Sequence, residues 1–153
     1  MATAIFGAGC FWGIEVAFVK VKGVTSTSVG YTGGGIDNPT YEQVCTGETN
    51  HAEVVWVEFN PSAVSYEELL DVFWECHDPT TLNRQGPDRG TQYRSVIYFA
   101  DSFQEAAAIK SKEQNSGRFQ SPIVTEITAE SKYYIAEDYH QQYLAKRGLE
   151  NCH

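Results

Sequence analysis

The period of the apolar residues changes along this chain in an order that few folds accommodate. Residues 3–8 form a short apolar run of strand length. Phe11, Ile14, Phe18 and Val21 then recur at helical spacing, with Gly23 as a stop. Residues 24–31 alternate polar and apolar until Gly33-Gly34-Gly35 breaks the pattern. Residues 51–59 are rich in valine and aromatics and end at Asn60-Pro61, which predicts a third strand. Ser65 and Glu68 have capping-box spacing, and Tyr66, Leu69, Leu70, Phe73 and Cys76 fall on one helical face behind them. Residues 95–100 read as a further strand. The first six major elements therefore run β-α-β-β-α-β, the split βαβ order of ferredoxin-like folds. The fold class is α+β: a two-layer sandwich on that core, with extra helices and a long functional loop.

The additions are a short helix over 40–46 and a helix from Ser102 to about Gly117, opened by a second capping-box spacing with Glu105. A strand over 123–128 and a late helix over 136–147 follow. Residues 77–94 form a polar loop, and a loop of that length in a small chain is usually functional. With 153 residues, 42% of them apolar, and no linker or internal repeat, residues 1–153 read as one domain.

The net charge of −9 argues against nucleic acid or an anionic membrane surface as a partner. No apolar run approaches a membrane span. The first residues carry neither a basic stretch nor an apolar core of signal-peptide type, so a cytoplasmic chain is expected. The four cysteines, Cys10, Cys45, Cys76 and Cys152, have no spacing that suits zinc. Scattered cysteines in such a chain are buried apolar residues or redox groups more often than structural disulfides.

Cys10 stands out because of where it falls, between the first strand and the first helix, inside Gly9-Cys10-Phe11-Trp12-Gly13. Backbone N–H groups of a first helical turn favour a thiolate. Phe11 and Trp12 supply apolar surface beside the sulfur. Gly7, Gly9 and Gly13 miss the dinucleotide-binding spacing by one residue, and no matching acidic strand end follows. Glu53 is the second unusual residue. It shares a strand face with Val55, Val57 and Phe59, so burial of that face would raise its pKa and keep a neutral acid available. The commoner fate of a lone glutamate is a strand end reaching solvent. Tyr41 and Tyr93 lie at the edges of loops, and Asp88 stands between Pro87 and Arg89 as a turn former. His140, in the patch Asp138-Tyr139-His140-Gln141-Gln142-Tyr143, reads as a structural histidine. Cys152, next to last, sits where tails are mobile and could reach Cys10. Cys76 reads as core, and Cys45 is ambiguous. A thiol nucleophile leaves a rival reading open: acyl-transfer hydrolysis by Cys10 with His51, His77 or His140. A non-catalytic binding module is the other.

Gly9-Cys10-Phe11-Trp12-Gly13 resembles the active-site signature of the type A peptide methionine sulfoxide reductases. The likeness continues through Gly30–Gly34, Tyr41–Val44, His51-Ala52-Glu53, Phe73-Trp74 with His77–Thr80, Gly90–Ser95 and Ala136–Tyr143. It implies thiol-dependent reduction of the S epimer of methionine sulfoxide, free or in proteins, and so repair of oxidised proteins. It implies Cys10 as nucleophile and sulfenic acid carrier, and Glu53 as the acid. Tyr41 and Tyr93 would bind the sulfoxide, Asp88 would be a pocket carboxylate, and Phe11 and Trp12 the wall that receives the substrate methyl. Cys152 would close an intramolecular disulfide with Cys10, reduced in turn by thioredoxin or a similar dithiol. No metal or organic cofactor is implied.

Overall fold

The computed structural model describes residues 2–141. Six strands form one sheet in the order β7-β6-β1-β3-β2-β8. They are β1 (Ala2–Ala8), β2 (Val24–Thr32), β3 (Ala52–Phe59), β6 (Ser95–Phe99), β7 (Glu126–Ala129) and β8 (Tyr134–Ile135). The two central strands, β1 and β3, are antiparallel neighbours, with Phe6 opposite Val55. β2 and β6 flank them, also antiparallel, and β7 runs parallel to β6.

Alternation along the strands decides which residues enter the core. Ala4, Phe6 and Ala8 of β1, Val55, Val57 and Phe59 of β3, and Ile97 of β6 share the face covered by helices. Against them pack Ile14 and Phe18 of α1 (Phe11–Val19), Leu69, Leu70, Phe73 and Trp74 of α3 (Tyr66–Glu75), and Ala108 of α4 (Ser102–Asn115). Phe6 is the hub, its ring 5.1 Å from Phe18 and 5.3 Å from Phe73. Each such side chain contributes on the order of 1.5–3 kcal/mol by leaving water. The opposite face holds a smaller cluster of Ile5, Ala52, Val54, Val96 and Tyr98, with Trp56 and Tyr133 against it.

The helix starts show which local signals decided. Ser65 and Glu68 form the expected capping box, the Ser65 hydroxyl accepting the Glu68 N–H at 3.0 Å. The α4 cap is Asp101 rather than Ser102, since its carboxylate accepts the Gln104 N–H at 2.8 Å. A carboxylate at an N-cap is favoured by the same orphan N–H groups that Ser would satisfy. The short α2 (Tyr41–Cys45) is held by a capping box from Thr40 and Gln43.

The long loop is partly ordered by its own pairing. β4 (Arg84–Gln85) and β5 (Asp88–Arg89) form a minimal hairpin, and Thr91–Tyr93 a single 3₁₀ turn. The buried Gln85 carboxamide accepts the Asp78 N–H at 3.0 Å and donates to the Asp78 carbonyl at 2.9 Å. The strand expected over 123–128 is shorter and later, at Glu126–Ala129. The late helix is not found in residues 136–141, where Asp138–His140 makes one 3₁₀ turn. Its remaining stretch, 142–147, lies outside the described residues, as does Cys152.

Candidate active site

Because β1 and β3 are antiparallel, the end of one lies beside the start of the other. Cys10 follows β1, and Glu53 is the second residue of β3. Between Ala8 and Cys10 the chain turns at Gly9, with φ +98°, a conformation that L side chains rarely adopt. Cys10 itself is extended (φ −62°, ψ 122°) and is the N-cap of α1, one residue before the helical turn that the sequence suggested. Its carbonyl accepts the N–H groups of Gly13 and Ile14 at 3.2 and 3.4 Å.

Glu53 keeps the face that its spacing assigned. It is 1% exposed, in line with Val55 and Val57. Its Oε1 accepts the Phe11 N–H at 3.3 Å, so the carboxyl sits at the N-terminus of α1, one residue from the thiol-bearing position. Glu53 pairs in register with Tyr31 of β2.

An aromatic cluster surrounds the helix start. Phe11 is fully buried, and its ring centroid lies 6.4 Å from Trp12, 6.3 Å from Tyr41 and 5.7 Å from Tyr31. Trp12 lies 6.3 Å from Tyr41. Tyr41 is the first residue of α2, so the α2 cap aims it. Burial raises its phenol pKa well above the usual value, with further contributions from Cys45 and the Glu53 charge. Tyr93, in the 3₁₀ turn, is raised by burial and then by Glu53, Cys45, Asp88 and Cys10 in decreasing order. Both phenols therefore stay protonated donors at neutral pH. Thr91 and Gln92 tie the Tyr93 turn to α2: the Thr91 hydroxyl donates to the Gly47 carbonyl at 3.4 Å and the Gln92 amide to the Cys45 carbonyl at 3.5 Å.

Residues 136–141 carry side chains that brace the site from outside, which spacing alone did not reveal. Glu137 accepts the Tyr31 hydroxyl at 3.0 Å on one oxygen and the Tyr41 N–H at 3.0 Å on the other. The Gln141 carboxamide accepts the Val29 N–H at 2.8 Å and donates to the Val29 carbonyl at 2.9 Å, copying a strand's pairing with a side chain. His140 lies fully buried in the aromatic cluster. The only signal of this in sequence is the density of polar and aromatic residues there. Cys45 is exposed at the end of α2, its thiol raised by burial and partly offset by Tyr41. Cys76 donates to the Phe73 carbonyl at 3.3 Å and packs against the core. His51 is spent on backbone, with Nδ1 accepting the Gly34 N–H at 3.0 Å. His77 bridges the Phe73 carbonyl and Ser95. Among the described residues, no group of three or more His, Cys, Asp or Glu could hold a metal ion, and no helix is long and apolar enough to cross a membrane.

Comparison with known proteins bears on this arrangement as a whole. The family model described as peptide methionine sulfoxide reductase matches residues 2–153. The peptide methionine sulfoxide reductase MsrA of Methanosarcina acetivorans is 63% identical over 148 residues, covering 95% of this chain and 79% of that protein. Methionine sulfoxide reductase A of Corynebacterium diphtheriae superimposes with a TM-score of 0.93 at 44% identity, covering 98% of this chain and 76% of that one. Mxr1 from Saccharomyces cerevisiae, solved in complex with Trx2, matches with a TM-score of 0.67 at 25% identity, covering 93% and 84%. Matches of this extent leave one reading: the chain belongs to the peptide methionine sulfoxide reductase family.

Proposed function

We propose that the chain reduces the S epimer of methionine sulfoxide, free or in proteins, with Cys10 as nucleophile and Glu53 as acid. The enzyme class follows from the family; the observation that carries the assignment of roles is the buried Glu53 carboxyl at the start of α1. A sulfoxide is a poor electrophile because its oxygen leaves badly. Protonation of that oxygen is the remedy, and a carboxyl removed from water favours its neutral form. Tyr41 and Tyr93 are suited to donate hydrogen bonds to the same oxygen, and Asp88, the pocket carboxylate, has a charge that helps keep the Tyr93 phenol protonated. Phe11 and Trp12 offer the apolar wall for the methyl group.

The Cys10 thiolate attacks the sulfoxide sulfur while Glu53 gives its proton to the sulfoxide oxygen; the sulfur–oxygen bond breaks, the hydroxyl passes to the Cys10 sulfur, and the substrate leaves as methionine with two electrons gained while Cys10 is oxidised to a sulfenic acid. A second thiol condenses with the sulfenic acid, releasing water and forming a disulfide. Cys152 is the partner we assign, although it lies outside the described residues. A dithiol of the thioredoxin type then restores both thiols by exchange. The complex of yeast Mxr1 with Trx2 supports that choice. Repair of oxidised proteins in the cytoplasm is the accompanying role. The chain is read as one domain. The β6-β1-β3-β2 order with antiparallel neighbours supports a ferredoxin-like core.

The test is one turnover without reductant. Reduced enzyme mixed with racemic methionine sulfoxide should yield one methionine per chain, consume only the S epimer, and give a Cys10–Cys152 disulfide on peptide mapping. Cys10 joined to Cys45 instead would sink the Cys152 assignment. Glu53→Gln should slow that turnover by about 10²–10⁴-fold, the usual worth of a general acid. It should leave Cys10 open to alkylation; an unchanged rate removes the acid role.

A further inference from the structure

We infer that His140 is the positioning residue for the Trp12 side of the pocket, holding the indole through its Nδ1 lone pair and acting only as a neutral Nε2–H ring. The inference rests on the reading of Trp12 as a substrate wall. His140 is fully buried although its neighbours Asp138 and Tyr139 are exposed. The Trp12 indole N–H donates to His140 Nδ1 at 2.9 Å. An indole nitrogen is a donor only, so Nδ1 must carry the lone pair and the ring proton must sit on Nε2. The two rings also stack, with centroids 5.6 Å apart and planes at 28°. Trp12 is half-buried on the first turn of α1 and gains a fixed orientation from this contact.

The hydrogen bonds that fix the His140 turn come from outside α1. Its 3₁₀ turn is clamped on one side by Glu137, bound to Tyr31 and Tyr41, and on the other by Gln141, bound to Val29. The ring is packed by Phe11 at 5.2 Å, Tyr41 at 4.3 Å and Tyr139 at 4.1 Å. Trp12 is thus referred, through one ring, to β2 and α2, which also carry Tyr31 and Tyr41.

Protonation would undo the arrangement. A cationic ring presents N–H to the indole N–H and loses the Nδ1 lone pair that accepts it. The titratable groups facing the ring are Glu137 from its own segment and the phenols of Tyr41 and Tyr139; the α1 rings, Phe11 and Trp12, do not titrate. Burial pushes the imidazole pKa below the usual 6.5, and the Glu137 charge opposes that shift without reversing it. The indole contact therefore holds at neutral pH and fails on acidification.

The test joins ring spectroscopy to kinetics on the full chain. A long-range ¹H–¹⁵N spectrum at pH 7.5 should show the His140 ring as the neutral Nε2–H tautomer. His140→Leu should raise KM for methionine sulfoxide about 10-fold, the net worth of one buried hydrogen bond, with a smaller change in kcat. His140→Asn offers an amide oxygen near the Nδ1 position and should recover most of that loss. Wild-type KM should rise as pH falls below 6.5, and the His140→Asn profile should stay flat there. An Nδ1–H or cationic ring at pH 7.5, or equal KM values for the Leu and Asn variants, overturns the proposal, and the spectrum of the wild type decides even if His140→Leu folds poorly. Trp12→Phe separates the two levels. If it leaves KM unchanged, the pocket reading itself fails. If it raises KM while His140→Leu does not, only the positioning role fails.

Discussion

Glu137→Ala removes a carboxylate that serves two donors at once. Oε1 accepts the hydroxyl of Tyr31, a residue with no exposed surface, and Oε2 accepts the N–H of Tyr41, the first residue of α2. That N–H is one of the orphan donors of a helix start and has no intrahelical acceptor. A hydrogen bond to a charged group is worth about 1.5–3 kcal/mol, and Glu137 is half-exposed, which favours the lower figure for each. Two such bonds give about 3 kcal/mol, less whatever water restores at the half-buried Tyr41. A loss of about 2–3 kcal/mol in a chain of this length lowers Tm by roughly 4–12 °C. Glu137→Gln keeps one acceptor oxygen but turns an N–H₂ toward the other donor, so it should lose about half as much. The pH dependence has a definite sign. Burial opposes ionisation of Glu137, but the Tyr41 and Glu137 N–H groups, the Tyr31 hydroxyl and His140 together hold its pKa below the usual 4.5. A depressed carboxylate contributes fully above its unfolded value and less as pH falls through the folded one. The gap between wild type and Glu137→Ala should therefore be full at pH 6 and close progressively below pH 4.5. Calorimetry across that range is the assay. A Glu137→Ala Tm within 1 °C of wild type, or a Glu137→Gln variant as stable as wild type, would refute the two-acceptor account.

Two further outcomes test other parts of the structure. Gly9→Ala forces a Cβ into a left-handed turn at φ +98° and should cost about 1–2 kcal/mol in urea unfolding. The same strain displaces Cys10, and a shift of order 1 Å at the thiol can slow turnover about 10²-fold; unchanged values for both would show that the turn is not what aims the thiol. Native alkylation at pH 8 followed by peptide mapping should modify Cys10 first and Cys45 later. Cys76 should remain unmodified, because burial pushes its thiol up to about 12; early labelling of Cys76 would mean that the α3 face opens readily.

The legible part of the molecule is the part written in periodic or contiguous residues. The face that buries Glu53 follows from period two along β3, and the capped start of α3 follows from Ser65 and Glu68. Residues 136–141 have the apolar spacing of a helix start, yet Asp138–His140 makes a single 3₁₀ turn. Its shape comes from Gln141 pairing with Val29 and Glu137 pairing with Tyr31, contacts made across more than 100 residues of chain that no local window contains. The same reason hid His140, whose indole partner is 128 residues away. The β4–β5 hairpin has two residues per strand, too few to show alternation. Asp101 outranked Ser102 as the α4 cap by a shift of one residue, a difference that hydrogen-bond geometry settles and composition does not.

These two kinds of contact divide the site by stiffness. Cys10 and Glu53, the proposed nucleophile and acid, stand at the ends of β1 and β3, adjacent central strands whose pairing is continuous with the core, and the Phe11 N–H bond to Glu53 joins the two ends directly. A change in their separation requires the sheet to shift. The phenols and the indole stand on short elements instead: a five-residue helix, a 3₁₀ turn and the first turn of α1, braced by side-chain bonds from Glu137, Thr91, Gln92 and His140. Loss of one brace frees one wall without moving the reacting pair. Substitutions at the braces should then act mainly on KM, and substitutions at Gly9 or Glu53 mainly on the chemical step. On the proposed roles, such a site would accept methionine sulfoxide in differing peptide surroundings, since the walls would yield by small amounts while the sheet keeps the Cys10-to-Glu53 geometry.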